Sequence, residues 1–455
     1  MDTSNESPKK APLQSVRKIA AELDKQHPKS AVHGMVMVAK DSLVTDPGLG
    51  MQTTAGSFAL AGVFRLLNIR LLPRLLRKAG VIVIGKSNLS VWSYFRASFG
   101  DQPSGWSPRG GQTKSAFDPA LDPSGSSTGS AVAVSAGLAT LSLGDETDGS
   151  IISPANRAAL YAIKPTPTVR KLVPGSAVPI SHNMDSVGVM AKGAWDVAAV
   201  QGIMDGREAE YMAAIAQGQK GWKGIKIGLA KRGFYFNSTT VEKDIVDGCL
   251  EKIEKIKSLG AEVVEVEMPG VAMVDGWTDQ WVITHADFKE DVGAYLRTLK
   301  NTTIRSLGDL ITYNNVHAVT EMPPGHCCQD IFLASNASAG SNTDEYRTAL
   351  NRAHYQSRDL GIDYALKKYG IDAIMMPSEV ASTLPAIAGY PIITAPVAVA
   401  EIKNVTQPFG LSFSTTAHKE DTLFRIMAAW EMSFPDRPKP DMKKLPKKQE
   451  KSAKL

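Results

Sequence analysis

The sequence predicts an α/β fold, because short apolar strand candidates alternate with stretches of helical periodicity, and polar turns close the strands. Met35-Val36-Met37-Val38 reads as a buried strand ending at Lys40-Asp41, and Val81-Ile82-Val83-Ile84 as a second ending at Gly85-Lys86. Between them, Phe58 to Lys78 carries helical periodicity interrupted by Pro73. Strand, helix, strand is the unit of a parallel sheet. Ala131 to Leu138 is a run of small residues suited to a tightly packed helix, and Ala139 to Leu143 is the strand candidate that follows. Ile225 to Leu229, Thr240 to Leu259 and Ala261 to Val266 repeat the strand, helix, strand order, with Cys249 on an apolar stripe of the helix. Apolar strands return at Ile371 to Pro377 and Ile392 to Val399, followed by Gly410-Leu411-Ser412-Phe413 and a closing helix from Thr422 to Ser433.

At 455 residues and 43% hydrophobic content, the chain can bury a substantial core. Residues 1 to 30 form a polar N-terminal segment with one amphipathic stretch, Leu13 to Leu23. Residues 31 to 436 read as the working domain, in which the weakly patterned region from 270 to 350 is expected to shape a pocket. Residues 437 to 455 hold eight basic and two acidic side chains, so most of the net charge of +5 sits in a tail expected to be solvated and disordered, and the body is near neutral. That tail lacks the aromatic companions of a nucleic-acid contact, so nucleic acid is excluded as a partner. No apolar run is long enough to span a bilayer, and the expectation is a soluble, cytoplasmic protein without membrane insertion. The terminal Ala453-Lys454-Leu455 resembles a peroxisomal address and offers the alternative location. Cys249, Cys327 and Cys328 make no Cys-x-x-Cys pair, so neither a disulfide framework nor a zinc site is indicated. The eight histidines show no i, i+4 pairing, and no metal or organic cofactor is expected.

Two turns carry the chemistry. Ser126-Ser127 and Ser150 are flanked by glycines, which let backbone amides face a ligand, and hydroxyls beside exposed amides suit acyl transfer. A serine needs a base to become a nucleophile, and no compelling His-Asp pair is visible. A lysine is the other solution. Lys86 sits just past an apolar strand, at the sheet edge where α/β sites form, and burial there would favour its neutral form. Trp92, Trp106, Trp277, Trp281 and Phe288 are candidates for an apolar pocket wall, although aromatics serve packing more often.

Gly125-Ser126-Ser127-Thr128-Gly129-Ser130-Ala131, followed by Thr147-Asp148-Gly149-Ser150 with 24 residues between the two serines, resembles the amidase-signature family. Gly85-Lys86-Ser87-Asn88 is similar to that family's lysine motif, and His33-Gly34 with Lys40-Asp41, Gly110-Gly111-Gln112-Thr113 and Asp185-x-x-Gly188 fall in the family's order. The similarity looks closest to its fungal, broad-specificity branch. The resemblance implies a mixed central β-sheet flanked by helices on both faces. It also implies an amidase acting on a small amide, with Ser150 as acylated nucleophile, Ser126 after a cis peptide bond as proton relay, and Lys86 as base. The amides of Thr147, Asp148, Gly149 and Ser150 would form the oxyanion hole, Ser126 would also touch substrate, and Lys114, after Gly-Gln-Thr, is either a substrate contact or an exposed loop lysine.

Departures from the family pattern are local. Asp148 stands where many relatives have glycine, Asp145 replaces a usual threonine, and Ile152 and Val91 replace residues that are often charged. Only about thirty residues precede His33, fewer than is usual in the family. The short N-terminal part and the turn substitutions keep open a catalytically impaired binding protein, and a glutamine-dependent amidotransferase subunit is a further alternative, which Ile152 and Val91 argue against. A homodimer is also left open as the assembly.

Overall fold

The computed structural model describes residues 10–45, 47–65, 71–167, 176–230, 235–236, 238–272 and 278–443. The tripeptide at 453–455, most of the basic tail and Trp277 lie outside the described residues. A ten-stranded sheet organises the chain. Its strands are β1 (Val36–Lys40), β2 (Ile82–Ser87), β3 (Leu141–Glu146), β4 (Tyr161–Lys164), β5 (Ser186–Ala191), β6 (Lys226–Leu229), β7 (Glu262–Glu265), β8 (Ala373–Pro377), β9 (Ile392–Ile402) and β10 (Val405–Ser414). They lie in the order β7-β6-β8-β10-β9-β4-β5-β3-β1-β2. Pairing is parallel at both ends, β1 with β2 and β3, and β6 with β7 and β8, and antiparallel through the middle. The sheet is therefore mixed, as the resemblance implied.

Both faces are covered, which is why the strands read as continuous apolar runs. Along β5, Val189 and Ala191 pack with one set of helices while Met190 joins another cluster, following the two-residue alternation of a strand. The first face holds α5 (Ala194–Asp205), α6 (Glu208–Gly218), α7 (Lys243–Ser258) and α9 (Glu420–Ser433), which contribute Val197, Tyr211, Ile253 and Trp430 to its core. The second holds α3 (Thr128–Ser135) and α4 (Ile152–Arg157), whose Ala131, Val134 and Ala155 pack on Ala162 and Met190. Small residues let α3 lie close to the sheet.

One expectation needs correction. The periodicity from Phe58 to Lys78 is not one helix: Phe58–Leu60 is a single 3-10 turn, Phe64–Arg65 pairs as a short strand, and among the described residues of this stretch α2 (Leu71–Ala79) alone is α-helical. Pro73 falls in the first turn of α2, where its missing N–H removes no intrahelical bond. The described residues of region 270 to 350 form α8 (Thr278–Arg297) and further helices at Leu307–Val316, Asp330–Ala337 and Asp344–His354, and Gln280, Trp281 and Thr284 of α8 line a cavity. A capping box starts the helix at Leu307: Asp309 N donates to Ser306 Oγ at 3.1 Å, and Ser306 N donates to Asp309 at 3.0 Å. The Ser-x-x-Asp spelling was there to be read. Cys327 and Cys328 are joined to each other by a disulfide, which ties no distant segments together, and Cys249 is buried and free. Among the described residues no helix is long and apolar enough to cross a membrane.

Candidate active site

β1 and β2 are adjacent and parallel, and each carries a lysine at its carboxyl end. Their register pairs Lys86 with Ala39 and Lys40 with Ser87. Paired residues share a face and successive residues alternate, so the two lysines leave the sheet on opposite sides. Lys40 is on the serine side. Its fully buried Nζ donates to Ser126 Oγ at 2.7 Å and to the Asp145 carbonyl at 3.1 Å, and it contacts the Asp145 carboxylate. Lys86 points elsewhere: its buried Nζ donates to the Leu43 carbonyl and to Thr53 Oγ1 at 3.2 Å, with Asp41 Oδ1 at 3.9 Å. The assignment of Lys86 as partner of Ser126 is therefore corrected to Lys40, which the sequence had shown only as part of a Lys40-Asp41 motif.

Ser126 is fully buried at the start of α3, and the Gly125–Ser126 peptide bond is cis. Ser127 N donates to the Ser150 carbonyl at 3.0 Å, which lays the two serine turns side by side. Two close approaches hold this arrangement. Gly129 N donates to Asn88 O at 2.9 Å, and a Cβ on Gly129 would lie 2.5 Å from that carbonyl, so only glycine fits. Gly149 has φ of +78°, the left-handed region in which a side chain would strain the turn.

The second turn is tied down by its own side chains. Glu146 Oε2 accepts from Ile151 N at 2.6 Å and Ile152 N at 2.8 Å, Thr147 Oγ1 donates to Asp185 at 2.6 Å, and Asp148 accepts from Gln280 Nε2 at 2.9 Å and Ser382 Oγ at 2.6 Å. The four amides of Thr147, Asp148, Gly149 and Ser150 donate to no described residue. Residues 147 to 150 line a cavity, and unpaired backbone amides on a fixed turn are the kind of group that can accept an anion. Asp145, the unusual residue of the turn, bonds both Lys40 and Ser42 Oγ instead of disturbing it.

Burial sets the charges. Loss of water pulls the Lys40 ammonium below the usual lysine range, and Asp145, followed by Glu146 and Asp185, opposes that pull without cancelling it. Lys86 is lowered to about 8, also by burial, with Asp41 opposing. A depressed lysine is thus present on both faces, and only the geometry separates them. Asp185 is pushed up to about 7 by burial, against the hydrogen bonds from Thr147, Ile180 and Ser181.

Ser150, 8% exposed, opens onto a cavity of about 380 Å³ lined by both serine-bearing turns, α8 and the segment after β8. Of the aromatic candidates, Trp281 lines this cavity, whereas Trp92, Trp106 and Phe288 pack in a hydrophobic cluster beside it. Tyr94, Phe95 and Phe99, which the sequence reading missed, also line it. Trp92, Ser93 and Tyr94 share left-handed φ values of 53°, 53° and 72°, a conformation rare for L-residues, in the segment that carries these aromatics to the cavity. Lys114 is exposed and lies outside the cavity lining, because the strand that precedes it, Gly111–Gln112, is itself at the surface. The structure gives it no place at the site. Among the described residues, Asp101 with Cys327 and Cys328 is a group at metal-ligand spacing, and its two cysteines are spent in the disulfide.

Comparison with known proteins agrees with this architecture. The Amidase family profile matches residues 10–423. A probable amidase of Arabidopsis thaliana is 34% identical over 409 residues, covering 88% of this chain and 77% of the relative. An amidase-family protein of Schizosaccharomyces pombe is 31% identical over 460 residues, covering 91% and 76%. The solved structure of native peptide amidase from Stenotrophomonas maltophilia superposes with a TM-score of 0.82 at 32% identity, covering 94% of this chain and 89% of that one. The chain belongs to the amidase family. It is a hydrolase of carbon-nitrogen bonds in linear amides.

Proposed function

We propose that this amidase cleaves a small carboxamide or N-acyl amine to a carboxylate and ammonia or an amine, through an acyl-enzyme on Ser150, with Ser126 as relay and Lys40 as base. The contact of 2.7 Å between Lys40 Nζ and Ser126 Oγ, both fully buried, carries the reading. A neutral lysine has two N–H groups and one lone pair. The two N–H groups match the carbonyl and carboxylate of Asp145, and the lone pair then faces the Ser126 hydroxyl. Ser126 gives its proton to Lys40 while taking one from Ser150, and the Ser150 oxygen attacks the amide carbon. The tetrahedral oxyanion settles on the free amides of residues 147 to 150, each of which is worth about 3 kcal/mol in systems of this kind. The proton returns through Ser126 to the departing nitrogen. Water then repeats the sequence on the acyl-enzyme. The similarity to the fission-yeast relative supports the fungal side of the reading that places the chain in the fungal, broad-specificity branch.

A fluorophosphonate probe tests the nucleophile. Wild-type protein should be labelled covalently and Ser150→Ala should not. Labelling that survives the substitution would refute Ser150, and a folded wild type that takes no label would favour the catalytically impaired reading.

A further inference from the structure

We propose that the aromatic side of the cavity is a subsite for an aryl group, so that the preferred substrates are aryl-bearing carboxamides, with Phe99 setting that preference. The proposal rests on Ser150 being the acylated residue. Its physical basis is an apolar wall assembled from two separate parts of the chain. Trp281 comes from α8, Tyr94 is the last residue of the left-handed run, and Phe95 and Phe99 follow it.

Three of these rings are fixed by their neighbours. Phe95 lies 4.9 Å from Phe288 and 6.0 Å from Trp281 between ring centroids, so both are anchored on the neighbouring hydrophobic cluster. The Tyr94 hydroxyl donates to the Gln102 carbonyl at 3.0 Å, and Tyr94 Cδ2 lies 3.3 Å from the position of a Cβ on Gly125, which puts the ring against the peptide that leads into Ser126. The Phe99 ring sits 5.1 Å from Tyr94, and with 64% of the residue exposed it is the most exposed of the four aromatics that line the cavity. Aromatic rings pair favourably at centroid separations of about 4.5–7 Å, so an aryl group that enters the cavity has aromatic faces and edges in its lining to pair with. The cavity is of a size usual for small-ligand sites, and beside the aromatic wall its lining combines Ile180 and Val380 with polar residues, among them Thr383 for the amide end of a substrate. An apolar wall with a few polar groups beside a nucleophile orients a substrate as well as binding it.

Turnover of propanamide, 3-phenylpropanamide and N-benzylpropanamide tests this, the last two placing the aryl group on the acyl or on the amine side. Wild-type kcat/KM should rise at least tenfold over propanamide for one of the aryl amides. Phe99→Ala should lower kcat/KM for that amide at least tenfold more than for propanamide. Because Phe99 is mostly exposed, the variant is expected to fold; Trp281→Ala, whose ring packs on the core, serves as a second variant once its circular dichroism matches wild type. Equal kcat/KM for all three amides, or an equal loss for all of them in Phe99→Ala, would overturn the aryl subsite while leaving Ser150 in place. Failure to hydrolyse any of the three, together with no fluorophosphonate label, would instead count against the acyl-enzyme reading itself.

Discussion

At the residue scale, the proposed base is a lysine whose charge is set by two opposing influences. Lys40 is pulled below its usual range by burial and pushed back by the Asp145 carboxylate it touches. A base must be unprotonated, so turnover should rise with pH through the Lys40 transition. Removing the Asp145 charge removes the largest influence that raises this pKa, and Asp145→Asn is therefore expected to move the ascending limb of kcat against pH to lower pH. A limb that stays in place or moves upward would contradict the assigned contact. The sequence could not choose between Lys40 and Lys86. Both follow apolar strands, both are flanked by small or polar residues, and burial depresses both. What separates them is a one-residue difference in register, which only the pairing of β1 with β2 supplies.

At the scale of elements, the two serine turns were legible, because glycines and hydroxyl residues declare a turn whatever packs around it. The side chains that fasten the turns were not. Gln280 and Ser382 reach Asp148 from α8 and from the segment after β8, more than a hundred residues downstream. Glycine at 129 is the element-scale test, since α3 begins against the backbone of Asn88. A methyl group there meets Asn88 O at 2.5 Å and Asn88 N at 2.6 Å, and backbone cannot turn aside as a side chain can. Gly129→Ala should cost about 1–3 kcal/mol in urea unfolding, with slower fluorophosphonate labelling of Ser150 in the protein that remains folded. A neutral substitution would mean that α3 is not seated on Asn88 in solution.

At the scale of the whole molecule, the α/β class followed from strand and helix alternation, and the mixed sheet from the resemblance. The order of strands did not, because sequence-adjacent strands are often far apart in the sheet; β6 and β8, for example, pair across more than 140 residues. That order brings β1, β3 and α3 together at one edge and sets Lys40, Ser126 and the Ser150 turn within one buried cluster. The region from 270 to 350 looked patternless because its helices bury aromatic and polar residues against the cavity side, which blurs an apolar stripe. Exposed Phe99 and Lys114 show the same limit: nothing in their local sequence tells which one faces the cavity.

Pre-steady-state acylation by an amide substrate decides between the two lysines, with Lys40 proposed as the base and Lys86 as structural. In variants shown to be folded by circular dichroism, Lys40→Met should slow acylation by about a hundred- to ten-thousandfold. Lys86→Met should lower stability through loss of its contacts to Leu43, Thr53 and Asp41 while keeping acylation within about tenfold of wild type. Acylation that persists without Lys40 and disappears without Lys86 would contradict the account.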